Sequence, residues 1–153
     1  MMRFLAIDPG TRRVGLAVGD DATKLASPLD VLEVTSPARA IEMIRVIIAR
    51  EAVERLVIGL PMNMDGTMGP TAQGAIRWGQ ELAGRAGLPV VFVDERLSSF
   101  AAEQQLIDRK RAGERLTRGR KKQQRDALAA AAFLQDYLDG KLAGIDAESI
   151  DGS

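Results

Sequence analysis

The first third of the chain consists of short apolar runs broken by turn residues. Residues 3–8 and 14–18 are two such runs, joined by Pro9-Gly10-Thr11-Arg12-Arg13, a link short enough for an antiparallel pair. A third strand is expected at 29–34, carried by Leu29, Val31, Leu32 and Val34 after the turn at Ser27-Pro28. At Ser36-Pro37 the period changes. A capping hydroxyl and a proline at the first helical position start a helix in which Ile41, Ile44 and Ile48 recur at helical spacing, with Ile47 beside them, to about residue 53.

Residues 55–59 (RLVIG) are apolar on both faces, as a buried parallel strand is. The stretch from Pro61 to Pro70 holds two prolines and two glycines and reads as a loop, with Met62, Met64 and Met68 expected to pack it. Ala72, Ala75, Ile76, Gly79, Leu82, Ala83 and Ala86 mark one face of the next helix, and Gly87 is its stop; Trp78 flanks that face as core or interface. Residues 88–94 (LPVVFVD) form the last strand, and Ser98 or Ser99 can cap a helix to Asp108. A final helix is expected from Lys121 to Leu138, with Ala127, Ala130, Leu134, Tyr137 and Leu138 on one face. An antiparallel start followed by strand–helix alternation predicts an α/β fold: a mixed five-stranded sheet, its first three strands antiparallel, with helices on both faces.

Composition narrows the chemistry. At 153 residues the chain is expected to form one domain, and no apolar run reaches the length of a membrane span. The N-terminus lacks a signal-peptide layout, so the expected location is cytoplasmic. Cys and His are both absent, which removes disulfides, thiolate zinc sites, Cys nucleophiles and imidazole bases. Hydrolysis would have to use carboxylates, Lys, Ser or Thr, or a cation held by oxygens, and oxygen ligands favour Mg²⁺ or Mn²⁺. The zero net charge conceals an asymmetry. Residues 109–125 carry nine Lys and Arg against the single acid Glu114, a local charge of +8 balanced by −8 elsewhere.

Three acids stand out by context. Asp8 ends the first strand, Glu95 follows the last strand beside Asp94, and Asp126 opens the alanine-rich helix. Sites in open α/β sheets gather beyond the carboxyl ends of strands, where Asp8 and Glu95 can meet. Asp126 has a plainer reading, since the dipole favours any acid in a helix's first turn. Clustered carboxylates repel one another; two divalent ions would neutralise them and clamp a phosphodiester for attack by a metal-activated water.

Four blocks resemble one family: LAIDPGTRRVGLAVGD at 5–20, VIGLPMNMDGTMGP at 57–70, VVFVDERLSSFAAEQQL at 90–106 and RDALAAAAFLQDYL at 125–138. Together they resemble the YqgF/RuvX family of Holliday junction resolvases and pre-16S rRNA nucleases, which have a ribonuclease H-like fold. The second block is the most specific. The resemblance implies that Asp8, Glu95 and Asp126 are catalytic, metal-binding acids. It implies a single nuclease domain over 1–139; within the chain, composition predicts a mobile basic segment at 109–120, around Gly113 and Gly119, and an acidic, frayed tail at 140–153. Ser98 and Ser99 stand where the family commonly has Thr, which preserves a capping hydroxyl.

Candidate nucleic-acid contacts are Arg12 and Arg13 on the first turn, Asn63, Asp65 and Thr67 in the loop, and Arg96, which either pairs locally or orients the site. Arg118, Arg120, Lys121, Lys122 and Arg125 of the basic run complete the set. That run has no aromatics, so it would read backbone and shape, not bases. The leading expectation is a Mg²⁺- or Mn²⁺-dependent endonuclease acting on rRNA precursor or branched DNA. Symmetric incision of a DNA junction would require a homodimer. The alternatives are a non-catalytic nucleic-acid-binding factor in ribosome assembly or transcription, and an ATP-dependent phosphotransferase. The latter is suggested by Asp8-Pro9-Gly10-Thr11 followed by Gly15, which resembles the phosphate-binding hairpin of sugar kinases and actin-like ATPases; those proteins use two such domains, for which 153 residues are too few.

Overall fold

The computed structural model describes residues 1–98 and 118–145, with 118–124 described by backbone alone. Strands β1 (Arg3–Asp8), β2 (Arg13–Asp20) and β3 (Ala26–Glu33) are followed by α1 (Pro37–Arg50), β4 (Arg55–Leu60), α2 (Pro70–Ala86), β5 (Val90–Asp94) and α3 (Arg118–Leu138). The sheet order is β3-β2-β1-β4-β5. β1, β2 and β3 pair antiparallel, and β1, β4 and β5 pair parallel. This is the expected mixed five-stranded sheet, and β1 lies at its centre.

Alternation along each strand sorts side chains between two cores. Leu5, Ile7, Leu16, Leu56, Ile58 and Phe92 pack with Ile41, Ile44, Ile76 and Leu82 of α1 and α2. Phe4, Ala6, Ala17, Val57 and Val93 pack with Ala130, Phe133 and Leu134 of α3 on the other face. The Ser36 hydroxyl accepts from the Arg39 amide to cap α1, and the Trp78 indole donates to the Pro37 carbonyl at 3.0 Å, tying α2 to the start of α1. Gly87, left-handed at φ 68°, ends α2.

Two close approaches seat α3. A Cβ on Gly15 would run into the carbonyl of Asp126, and one on Gly59 would stand 2.8 Å from the Phe133 ring. At the opposite edge, Gln135 accepts from the Ala26 amide at 3.0 Å and donates to the Lys24 carbonyl at 2.7 Å. The helix is thus held along its length against the antiparallel half of the sheet.

Several boundaries differ from expectation. α3 begins at Arg118, so residues 118–120 are helical where a mobile segment was expected to extend to 120. The tail is not frayed at 140–145: Leu142 is buried, and the Ile145 amide donates to the Phe92 carbonyl at 2.6 Å, covering the β5 edge. The apolar Leu142 and Ile145 outweigh the small and polar residues around them. Met62 and Met68 pack on the core as expected, but Met64 is 93% exposed, because its carbonyl is what the fold holds. The helix expected over 98–108 falls almost wholly outside the described residues, as do 109–117 and 146–153. Among the described residues no helix is long and apolar enough to cross a membrane.

The two kinds of glycine should separate in unfolding experiments. Gly15→Ala must push α3 off β2 and should lower the urea-unfolding free energy by about 1–3 kcal/mol, as overpacking does. Gly84→Ala, in the α2 interior with open space around it, should raise that free energy by roughly 0.5–1 kcal/mol.

Candidate active site

Strand parity delivers the acids to one place. Asp8 follows Phe4 and Ala6 on the face that α3 covers. Its antiparallel partner is Gly15, the residue on which the Asp126 backbone sits. On the other side Ile7 pairs with Ile58, which puts Gly59 next to Asp8. In β5, Val91 and Val93 face α3, so the next residue of that parity is Glu95. Its Oε2 lies over Gly59, 2.9 Å from where a Cβ would stand. The glycine leaves the space that the Glu95 carboxyl uses.

Asp8 and Glu95 stand within hydrogen-bonding reach of each other, and both carboxyls are raised above the ordinary range. Burial, then the charge and hydrogen bond of Glu95, and then the charge of Asp126, push Asp8 up to about 9. Burial also raises Glu95; the hydrogen bond with Asp8 opposes the rise, and the charges of Asp94 and Asp126 add to it. Asp126 is raised by burial too, with Arg13 and Arg125 opposing the shift. Two carboxylates forced together without a counter-charge retain a proton.

Asp126 lies about two turns inside α3, not in its first turn, so the helix dipole does not explain it. Its carboxylate pairs with the Arg13 Nε at 3.4 Å. Among the described residues no three acids stand together closely enough to enclose an ion. The fold therefore brings Asp8 and Glu95 into contact, and it holds Asp126 within electrostatic reach of both while an arginine occupies it. All of these donors are carboxylate oxygens, the set that suits Mg²⁺ or Mn²⁺.

The other candidates divide. Arg12 is exposed on the turn beside Asp8. Asn63, Asp65 and Thr67 are exposed but serve the loop's own geometry. Thr67 donates to Asp65 Oδ1 through its amide at 3.0 Å and its hydroxyl at 2.6 Å, and Asn63 donates to the Thr67 hydroxyl at 3.0 Å. These bonds hold the Asp65 carboxyl below the usual range. Arg96 pairs locally with Asp94. Arg125 is exposed one residue before Asp126, while the side chains of Arg118, Arg120, Lys121 and Lys122 lie outside the described residues. Sequence reasoning missed Gly15 and Gly59, whose bare positions in strands were the available signal.

The family model for RuvX, described as Holliday junction resolvase, matches residues 2–140. Several relatives are provisionally named pre-16S rRNA nucleases. One from Caldanaerobacter subterraneus subsp. tengcongensis is 36% identical over 140 residues, covering 92% of this chain and 98% of its own. One from Anaeromyxobacter sp. is 41% identical over 140 residues with the same coverage, and one from Gluconacetobacter diazotrophicus is 43% identical over 137 residues, covering 90% and 86%. Among solved structures, RuvC of T. thermophilus in complex with a Holliday junction substrate superposes with a TM-score of 0.56 at 16% identity, covering 95% of this chain and 100% of that one. The fowlpox virus Holliday junction resolvase gives 0.52 at 12% identity, covering 91% and 99%. These likenesses show a shared RuvC-type, ribonuclease H-like fold. The match over nearly the whole chain, with relatives at this identity, means that the protein belongs to the RuvX family, a family of nucleases.

Proposed function

We propose that the protein is a divalent-metal-dependent endonuclease that hydrolyses phosphodiesters of structured nucleic acid, with Asp8, Glu95 and Asp126 as its catalytic acids. The observation that carries this reading is the buried contact between the Asp8 and Glu95 carboxyls beside Gly59, with Asp126 within electrostatic reach of both. Bound Mg²⁺ or Mn²⁺ would provide Lewis-acid stabilisation of charge on the phosphate oxygens and acidify an attacking water. Asp8, fixed on the central strand, and Glu95, packed over Gly59, would supply its oxygens. Asp126 would join them by exchanging Arg13 for the metal. Arg13 would then be free to donate to a substrate phosphate, for which its planar fork is suited, and the exposed Arg12 would support it.

The substrate proposed first is precursor 16S rRNA, after the names of the relatives at 36–43% identity. A four-way DNA junction is the second, after the family description. The basic residues before Asp126 would hold either one through its backbone, making binding salt-sensitive. The proposed setting is the cytoplasm, where rRNA is processed.

Cleavage assays on 5′-extended 16S precursor and on a four-way DNA junction, with Mg²⁺ and Mn²⁺ in parallel, test this. Asp8→Asn and Glu95→Gln should each reduce cleavage on the order of a thousandfold, the scale for removing a group that stabilises developing charge. Undiminished cleavage by Asp8→Asn would refute its assignment. Binding without cleavage by the wild type under any metal would favour a non-catalytic factor.

The acid pair also makes metal-free stability depend on pH in a specific direction. Asp8 has a folded value of about 9 against an ordinary 3.8. Its protonation therefore stabilises the fold fully below the ordinary value, and this contribution is lost as pH rises towards the folded one. In EDTA, the melting temperature should fall by on the order of 10 °C between pH 5 and 9. Asp8→Asn should flatten that decline, and saturating Mg²⁺ should reverse it.

A further inference from the structure

Asp94 and Glu95 are adjacent acids of opposite parity, and the fold uses them differently. Glu95 turns to the α3 face and Asp8; Asp94, a buried carboxylate at the end of β5, turns to Arg96. The Arg96 amide donates to Asp94 Oδ1 at 3.0 Å, capping a single 3₁₀ turn at Glu95–Leu97 that the Ser98 amide closes on the Glu95 carbonyl at 3.2 Å. The guanidinium grips the same carboxylate, Nε at 3.1 and 3.2 Å from its two oxygens and Nη2 at 2.6 Å from Oδ2. Its third nitrogen, Nη1, donates to the Met64 carbonyl at 2.9 Å, in the loop that follows β4. One side chain thus joins the ends of two parallel strands.

We infer that Arg96 is a positioning residue. It fastens the 61–70 loop to the turn that carries Glu95, so that this loop forms a fixed wall of the proposed nucleic-acid groove instead of a mobile flap. The proposal rests on the nuclease reading for the groove, but not for the fastening. Within the loop, Asn63 donates its amide to the Thr67 carbonyl and Gly66 donates to the Asn63 carbonyl, both at 2.9 Å. With the Asp65–Thr67 bonds, these make the loop a compact unit. The Arg96 bond to the Met64 carbonyl ties the loop's exposed tip to the end of β5. Arg96 is committed to three nitrogen contacts inside the protein, which distinguishes it from a free phosphate-binding arginine. A lysine keeps the charge but cannot hold both carboxylate oxygens and a carbonyl in one plane.

Two readouts test this in the full-length protein. In amide hydrogen exchange, Arg96→Lys and Asp94→Asn should each accelerate exchange at Asn63 and Gly66 at least tenfold, and the double variant should add nothing further, since both break one unit. Exchange in β1 and β4 should not change, which establishes that the variants are folded. In binding to 5′-extended 16S precursor in EDTA, Arg96→Lys should weaken affinity about as much as Arg96→Gln at every salt concentration, with an unchanged salt slope. Loop exchange at wild-type rates in both Arg96→Lys and Asp94→Asn would overturn the proposal. So would Arg96→Lys binding like wild type while Arg96→Gln lowers the salt slope by about one, the signature of a phosphate contact. Failure of the wild type to bind any nucleic acid would strike the nuclease reading, and the exchange result would still decide the fastening.

Discussion

The seating of α3 on the sheet is the constraint from which the site follows. The helix can approach β2 only where a strand residue has no side chain, and Gly15 supplies that position directly opposite Asp8. The contact sets the height of Asp126 above the central strand. Gly59 repeats the device on β4, where the missing side chain accommodates both the Phe133 ring and the Glu95 carboxyl. Three acids from distant parts of the chain are thereby brought to one sheet face by packing alone, before any ligand contributes.

Packing that is favourable for the core is unfavourable for the charges. Asp8 and Glu95 lie where apolar neighbours remove solvent, and that burial, with the charges around them, raises both carboxyls. Arg13 partly offsets the charge of Asp126, and Arg125 adds to it from the surface. Such a cluster is destabilising for a merely structural domain. On the proposed nuclease reading, the charge that completes it arrives as cation and phosphate. The fastening of the 61–70 loop through Asp94 and Arg96 has the opposite character. There a buried acid is fully matched, and the corner beside the cluster is rigid.

The periodic elements were legible in the sequence because their patterns are strong. The Ile41–Ile48 spacing, the two-sided apolar strands and the Gly87 stop all specify local structure that the tertiary fold preserves. Asp8 and Glu95 were legible because a carboxylate at the end of an apolar strand is anomalous. What the sequence concealed depends on contacts between remote segments. Nothing near Gly15 announces a helix more than a hundred residues away, and the different tasks of Asp94 and Glu95 emerge only from parity within the folded sheet. The roles of Asn63, Asp65 and Thr67 were obscured for a related reason. Residues that line a groove and residues that build a tight loop have the same polar composition, and only their mutual hydrogen bonds tell them apart.

On the proposed nuclease reading, the Asp8–Glu95 pair exchanges a shared proton for a divalent cation. Calorimetric titration of the metal-free protein with Mg²⁺ or Mn²⁺ at pH 7, in buffers of different ionisation enthalpy, counts the protons that binding releases. Saturable binding with release of about one proton is expected in the wild type, and loss of both in Asp8→Asn. Binding without proton release, or binding unaltered in Asp8→Asn, would contradict it.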